Sequence, residues 1–226
     1  MSKPSDIAHA AQPGADVVVL DLVEFVANKD KDRSRAAVRT AVEQVRGGGP
    51  RVFVQTSPAT QADDLSAAVC PALNGIVVSR AESALQLRQT DQHLTRLETE
   101  RGLAPGAIAI VVALETARGN QDAYEIVTAS KRVRAITLGR ADLIMDLRPE
   151  PSGEILMMPY LMQRLVIVAR AAGITPLGAW WRAPDRGLLA TPDNTLKAAT
   201  RGRAMGFKGA LCLHADQIAP LNRIYA

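Results

Sequence analysis

Glu115 and Asp142 each stand just after an apolar run, Ile108 to Leu114 in the first case and the segment Val133 to Gly139 in the second. One or two carboxylates, with the other positions left to water or substrate oxygens, is the ligand set that Mg2+ prefers. Whether the two acids can share an ion depends on the elements that carry them. An uninterrupted β-branched run bounded by turn residues predicts a strand buried on both faces, and such strands belong to parallel sheets covered by helices. Sites in those sheets form at the carboxyl ends of the strands. Consecutive strands would therefore deliver both acids to one end. A plainer role remains open for the same residues, as surface acids near loops, one of them capping the segment after Leu114.

Strand-like runs alternate with amphipathic stretches along the whole chain, the pattern of repeated βα units. Seven strands are predicted: Asp16 to Leu22, Arg51 to Gln55, Gly75 to Val78, Ala107 to Leu114, Val133 to Leu138, Ile174 to Leu177 and Gly209 to Leu213. Helices are expected near Lys31 to Arg46, Gln61 to Val69, Ala81 to Arg101, Gln121 to Ser130, Glu154 to Ala172 and Thr191 to Met205. Gly47-Gly48-Gly49 follows a helix, so it reads as a cap, and Gly173 and Gly206 read as helix stops. No Gly-x-Gly-x-x-Gly follows the first strand, which favours a TIM-type (β/α)8-like barrel over a dinucleotide-binding sheet. A complete barrel has about eight strands. One is therefore missing, and the short polar lead before Asp16 places the deficit at the N-terminus. The expectation is a single barrel domain over 1–226 with no C-terminal lid domain.

The totals narrow the classes further. With 226 residues, 47% of them hydrophobic, the chain can fill a sizeable core. The longest wholly apolar stretch, Ala107 to Leu114, is far below the ~20 residues of a membrane helix, and the first residues lack the apolar core of a signal peptide. Cys70 and Cys212 lie in apolar surroundings and read as buried free thiols of a cytoplasmic protein. A net charge of +4 raises nucleic acid as a partner, but basic residues are dispersed and aromatics are few, which argues against it. The tight cluster Lys131-Arg132-Val133-Arg134 reads as a solvated helix end. A mild positive surplus suits an anionic metabolite.

Gathering the predicted strand ends brings together Asp21, Glu24, Gln55, Ser57, Arg80, Glu82, Glu115, Arg140, Asp142, Trp180, Trp181 and His214. His214 could serve as acid, base or hydrogen-bonded structural group. Strand alternation would put it on one face with Cys212, a conceivable thiol–imidazole pair, although the apolar setting favours packing. Trp180 and Trp181 could floor a pocket or close the barrel end.

The segments Gly14-Ala-Asp-Val-Val-Val-Leu-Asp-Leu22, Asn74-Gly-Ile-Val-Val78, Leu114-Glu-Thr-Ala-Arg-Gly119, Ala141-Asp-Leu143 and Leu211-Cys-Leu-His-Ala-Asp-Gln-Ile218 occur in an order and spacing that resembles the HpcH/HpaI aldolase and citrate lyase β-subunit family. The resemblance runs from about Lys3 to Pro220. It implies a (β/α) barrel and a Mg2+-dependent enzyme that makes or breaks carbon–carbon bonds next to a carbonyl, with acyl-CoA or 2-oxo acid substrates. It also implies that Glu115 and Asp142 are the metal ligands, and that a homo-oligomer completes the site.

The chain departs from that family's pattern at several positions. Leu22-Val23-Glu24 stands where the family has Leu-Glu-Asp, Gln55 where it has an arginine expected to stabilise the enolate or oxyanion, Ala141 where it has a glutamate, and Arg80 where it has a lysine; Arg140 is unusual. Loss of a preorganised cationic donor costs about 10²-fold in rate. With two acids lost, one cation lost and one gained, the site is more positive than the family's, which fits a more anionic ligand. The leading expectation is a Mg2+-dependent carbon–carbon lyase or aldolase-like enzyme acting on a carboxylated acyl-CoA thioester or 2-oxo acid, with Arg80 or Arg140 and Gln55 replacing the missing donor. One alternative is a catalytically impaired, repurposed relative that binds an anionic metabolite or a partner protein. Another is an acyl-CoA thioester hydrolase on the same metal site, with Glu24 as the base.

Overall fold

The structure, a computed structural model, describes residues 14–23, 30–148, 153–178 and 191–226, with Arg140, Ala141 and 153–156 described in backbone only. Seven parallel strands form one curled sheet whose spatial order equals the chain order. They are β1 (Val17–Asp21), β2 (Arg51–Thr56), β3 (Gly75–Val78), β4 (Ala109–Leu114), β5 (Val133–Leu138), β6 (Thr175–Gly178) and β7 (Gly209–Ala210). The helices are α1 (Lys31–Gly47), α2 (Gln61–Ala68), α3 (Ala84–Glu100), α4 (Ala117–Gln121), α5 (Ala123–Thr128), α6 (Arg140–Leu147), α7 (Gly153–Ala172), α8 (Pro192–Met205) and α9 (Ile218–Tyr225). The result is a TIM-type half-barrel, with seven strands among the described residues against the roughly eight of a complete barrel. No β7-to-β1 pairing occurs among the described residues, and the start of β1 is instead met by α9, where Asn222 Nδ2 donates to Gly14 O at 2.7 Å.

Alternation sorts the strand residues to two sides. Val18, Val52, Val54, Ile76, Val78, Ile110, Val112, Leu114, Ile136 and Leu138 face outward and pack under the helices. Val17, Val19, Phe53, Val77, Ala109, Val111, Ala113, Ala135 and Leu177 face inward as a smaller cluster. A register shift on β4 between Ile110, paired with Val133, and Val111, paired with Ala135, passes over Arg134. That extra residue is why Val133 joins the outer core although Ala135 points inward. Phe53 lies across Gly75, where a Cβ would come within 2.3 Å of its ring, so the ring closes the inner floor.

Arg132, at the amino end of β5, corrects an expectation. It is no solvated helix end but a buried hub. Its two terminal nitrogens each donate to Glu98 at 2.7 Å, Nε donates to Asp91 at 2.5 Å, and further bonds reach Thr95 and the Ile108 carbonyl. Glu98 also accepts from the Gly106 and Ile108 N–H groups at 2.8 Å each. Burial opposes ionisation of both acids, yet the hydrogen bonds outweigh it. Those from Ser130 and Arg132 hold Asp91 below its usual range, and those from Arg132, Ile108 and Gly106 do the same for Glu98. The network binds α3 to the amino ends of β4 and β5. No helix among the described residues is long and apolar enough to cross a membrane.

Candidate active site at the carboxyl ends of the strands

The site begins where β4 ends. Inward alternation through Val111 and Ala113 carries Glu115 to the mouth of the half-barrel, where it is buried. Its Oε2 accepts the Arg80 N–H at 2.8 Å. Arg80 adopts φ 46°, a left-handed conformation that costs a non-glycine residue about 1–2 kcal/mol. On the other side Glu115 lies across Gly139, where a Cβ would come within 2.2 Å of Glu115 Cγ. Only glycine allows that approach.

The residues after Glu115 lock the turn. Thr116 caps α4 by accepting the Gly119 N–H at 3.1 Å, and its carbonyl accepts Asn120 Nδ2 at 2.9 Å. Gly119 packs so close to the Ala81 carbonyl that a Cβ would come within 2.3 Å of it. Asp146 Oδ2 accepts the Ala117 N–H at 2.7 Å, tying α6 to the start of α4. The loops after β3, β4 and β5 are therefore fixed to one another.

Asp142 is the third residue of α6, which follows β5 after Gly139 alone. It stands in a helix first turn, not a loop, where the helix dipole favours its negative charge. Gln55 is buried at the end of β2, and its Nε2 donates to Ser79 Oγ at 2.8 Å. Asp21, paired in register with Gln55, accepts the Val23 N–H at 2.6 Å. The Arg80 guanidinium is 46% exposed and lies 3.9 Å from Glu82, so its described tie to Glu115 runs through the backbone. Glu24, Trp180 and Trp181 lie outside the described residues, as does the Arg140 side chain.

Two expectations change. The last strand stops at Ala210, so Cys212 and His214 do not share a strand face. His214 is exposed and caps a 3-10 turn over 215–217, with the Gln217 side chain accepting the Leu213 and His214 N–H groups. Burial pushes the Cys212 thiol up, away from a nucleophilic thiolate. Sequence reasoning also passed over Asp64, a buried acid on α2. It accepts from the Ser57 N–H and Arg35 Nε, both at 2.9 Å, and so pins the loop after β2. Ser79 was missed as well, although the Val77–Ser79 alternation announces it.

The arrangement offers two carboxylates from consecutive strand ends, with neutral donors beside them. Among the described residues no group of three or more His, Cys, Asp or Glu side chains is placed to hold a metal ion. A cation here would take two protein carboxylates, the donor number suited to Mg2+ and ill suited to a closed zinc site.

The chain is 30% identical to a citrate lyase subunit beta-like protein of Deinococcus radiodurans, over 94% of this chain and 72% of that one. It is 27% identical to citrate lyase subunit beta of Haemophilus influenzae, over 93% and 72%. Its fold matches that of protein CitE of Mycobacterium tuberculosis, solved with magnesium, acetoacetate and coenzyme A, with a TM-score of 0.74, 26% identity and coverage of 98% of this chain and 76% of that one. The sequence profile of the HpcH/HpaI aldolase/citrate lyase family matches residues 1–215, and the chain belongs to that family.

Proposed function

We propose that this protein is a Mg2+-dependent carbon–carbon lyase of aldolase type, acting on a carboxylated acyl-CoA thioester or a small 2-oxo acid. The observation that carries the reading is the setting of Glu115: a buried carboxylate, one oxygen held by the Arg80 N–H, its stem laid in the notch left by Gly139. Asp142 lies in the first turn of the helix that starts from that same glycine. Glu115 and Asp142 are the residues that would hold the metal, and both the donor type and the rigid glycine notch fit a hard cation. When bound, it supplies Lewis-acid polarisation of the substrate carbonyl.

The chain's own groups do the positioning. Gln55, held by Ser79, keeps a second amide hydrogen to offer a developing oxyanion, a neutral donor in place of a cation. Arg80 and Arg140 are the candidates for the positive charge that an acidic substrate requires. The magnesium, acetoacetate and coenzyme A held by the mycobacterial relative support this substrate class.

Calorimetry of Mg2+ against acetoacetate, oxaloacetate and a panel of acyl-CoA thioesters tests the reading. One compound should strengthen Mg2+ binding and be cleaved. A protein that binds none of these compounds, with or without Mg2+, contradicts it.

Gln55 favours a second reading, a relative that binds its ligand without turnover, because the amide that Ser79 holds carries no charge. Gln55→Arg separates the two. A degenerate enzyme gains lyase activity, whereas a re-specialised enzyme loses its own.

A further inference from the structure

Among the described residues, Thr137 Oγ is one of three buried side-chain polar atoms, with Ser34 Oγ and Gln61 Nε2, that have no hydrogen-bond partner. Of these three it alone belongs to a strand. Thr137 is 4% exposed and lies two residues beyond Ala135, which packs in the inner cluster, while Ile136 and Leu138 pack in the outer one. Alternation therefore aims the hydroxyl into the half-barrel. A buried, unsatisfied hydroxyl is costly, and here it sits under the candidate site.

Its neighbours define a small layer. Thr137 pairs in register with Ala113 on β4 and Leu177 on β6. Val77 pairs with Val111, so Ser79, two residues on, stands level with Ala113. The layer thus reads Ser79, Ala113, Thr137, Leu177 across four adjacent strands, with an alanine methyl between two hydroxyls. Ser79 Oγ accepts from Gln55, which leaves its own hydrogen to donate. Two residues further along each strand come Glu115 and Gly139, with Glu115 leaning over the glycine and so toward the column that holds Thr137.

We infer that this layer is the specificity subsite of the reaction: the Thr137 hydroxyl donates to an acceptor oxygen of a small oxo acid, whose short carbon chain rests on Ala113 between the Thr137 and Ser79 hydroxyls. The inference builds on the lyase reading and adds which substrates fit it. Leu177 is Thr137's register partner on β6 and Ala113 is the smallest side chain of the layer, so compact ligands of the acetoacetate or oxaloacetate size fit beside the alanine and branched chains meet the leucine.

The test uses Thr137→Val, which keeps shape and removes the hydroxyl, and Thr137→Ser, which keeps the hydroxyl. Mg2+ affinity alone, acetoacetate and oxaloacetate affinity in saturating Mg2+, and the melting temperature are measured for each. In Thr137→Val, oxo-acid affinity falls about tenfold, the worth of one hydrogen bond, while Mg2+ affinity holds and the melting temperature does not drop. Thr137→Ser keeps oxo-acid affinity. Equal oxo-acid affinity in wild type and Thr137→Val overturns this inference and leaves the lyase reading standing. A lowered melting temperature with unchanged oxo-acid affinity also overturns it, because the hydroxyl then serves the fold. Wild-type protein that binds no oxo acid overturns both.

Discussion

The β4–β5 pair meets a buried glutamate at each end, Glu98 of α3 at the amino end and Glu115 at the carboxyl end, and the two are treated differently. At the amino end Glu98 is met by both terminal nitrogens of Arg132 and by two backbone N–H groups, and Asp91 takes the remaining face of the guanidinium. Charge is neutralised inside the chain. At the carboxyl end Glu115 is positioned by a backbone N–H and a glycine notch, with Gln55, Ser79 and the partnerless hydroxyl of Thr137 around the same mouth. The difference teaches that the amino end ties the strands through paired side chains, whereas the carboxyl end sets its acid by backbone geometry; on the lyase reading, that second end is where a ligand would be received.

Breaking the amino end has the largest effect on stability. Arg132→Met strands Glu98 and Asp91 without their cation and costs about 3–5 kcal/mol in chemical denaturation. Mg2+ affinity of the folded fraction does not change. Gly139→Ala attacks the carboxyl end sterically: the added methyl meets Glu115 Cγ at 2.2 Å, and overpacking of this kind costs about 1–3 kcal/mol. Because Glu115 must move, Mg2+ affinity falls together with stability, a coupling that Arg132→Met lacks.

pH sharpens the contrast. Asp91 and Glu98 titrate below their ordinary values in the folded chain. Their contribution is therefore complete above the unfolded carboxylate range of about 4 and is lost as pH falls through the lower folded values. Stability measured between neutral pH and about pH 3 should drop, and Glu98→Gln should flatten that drop. Glu115→Gln has the smallest effect on stability, within about 1 kcal/mol by thermal melting, since the amide oxygen can still accept the Arg80 N–H. On the lyase reading, calorimetry of the same variant should show a large loss of Mg2+ affinity.

Much of the fold could be read from the sequence because the physics was local. Seven largely apolar runs became seven parallel strands, and left-handed glycines, Gly49 at φ 108° and Gly206 at φ 106°, follow the last turns of α1 and α8. The failures share a cause. Arg132 sits in a basic run that looks solvated, and its burial is decided by Asp91 and Glu98, 41 and 34 residues away. Helix α6 went unseen because it starts on Gly139 with no side-chain cap. The strand ending at Leu213 was drawn too long, since the apolar Leu211 to Leu213 stretch carries no stop signal although it leads into the turn capped by His214. At the site, Glu115 and Asp142 stood out as acids after apolar runs. Gly139 and Thr137 acquire meaning only once register places them near Glu115.

The most direct measurement is Mg2+ binding by calorimetry to wild-type protein and to Asp142→Asn, with matched melting temperatures as the control for folding. The account predicts Mg2+ binding by the wild type and its loss in the variant at unchanged stability. Equal Mg2+ affinity in the two proteins would contradict it.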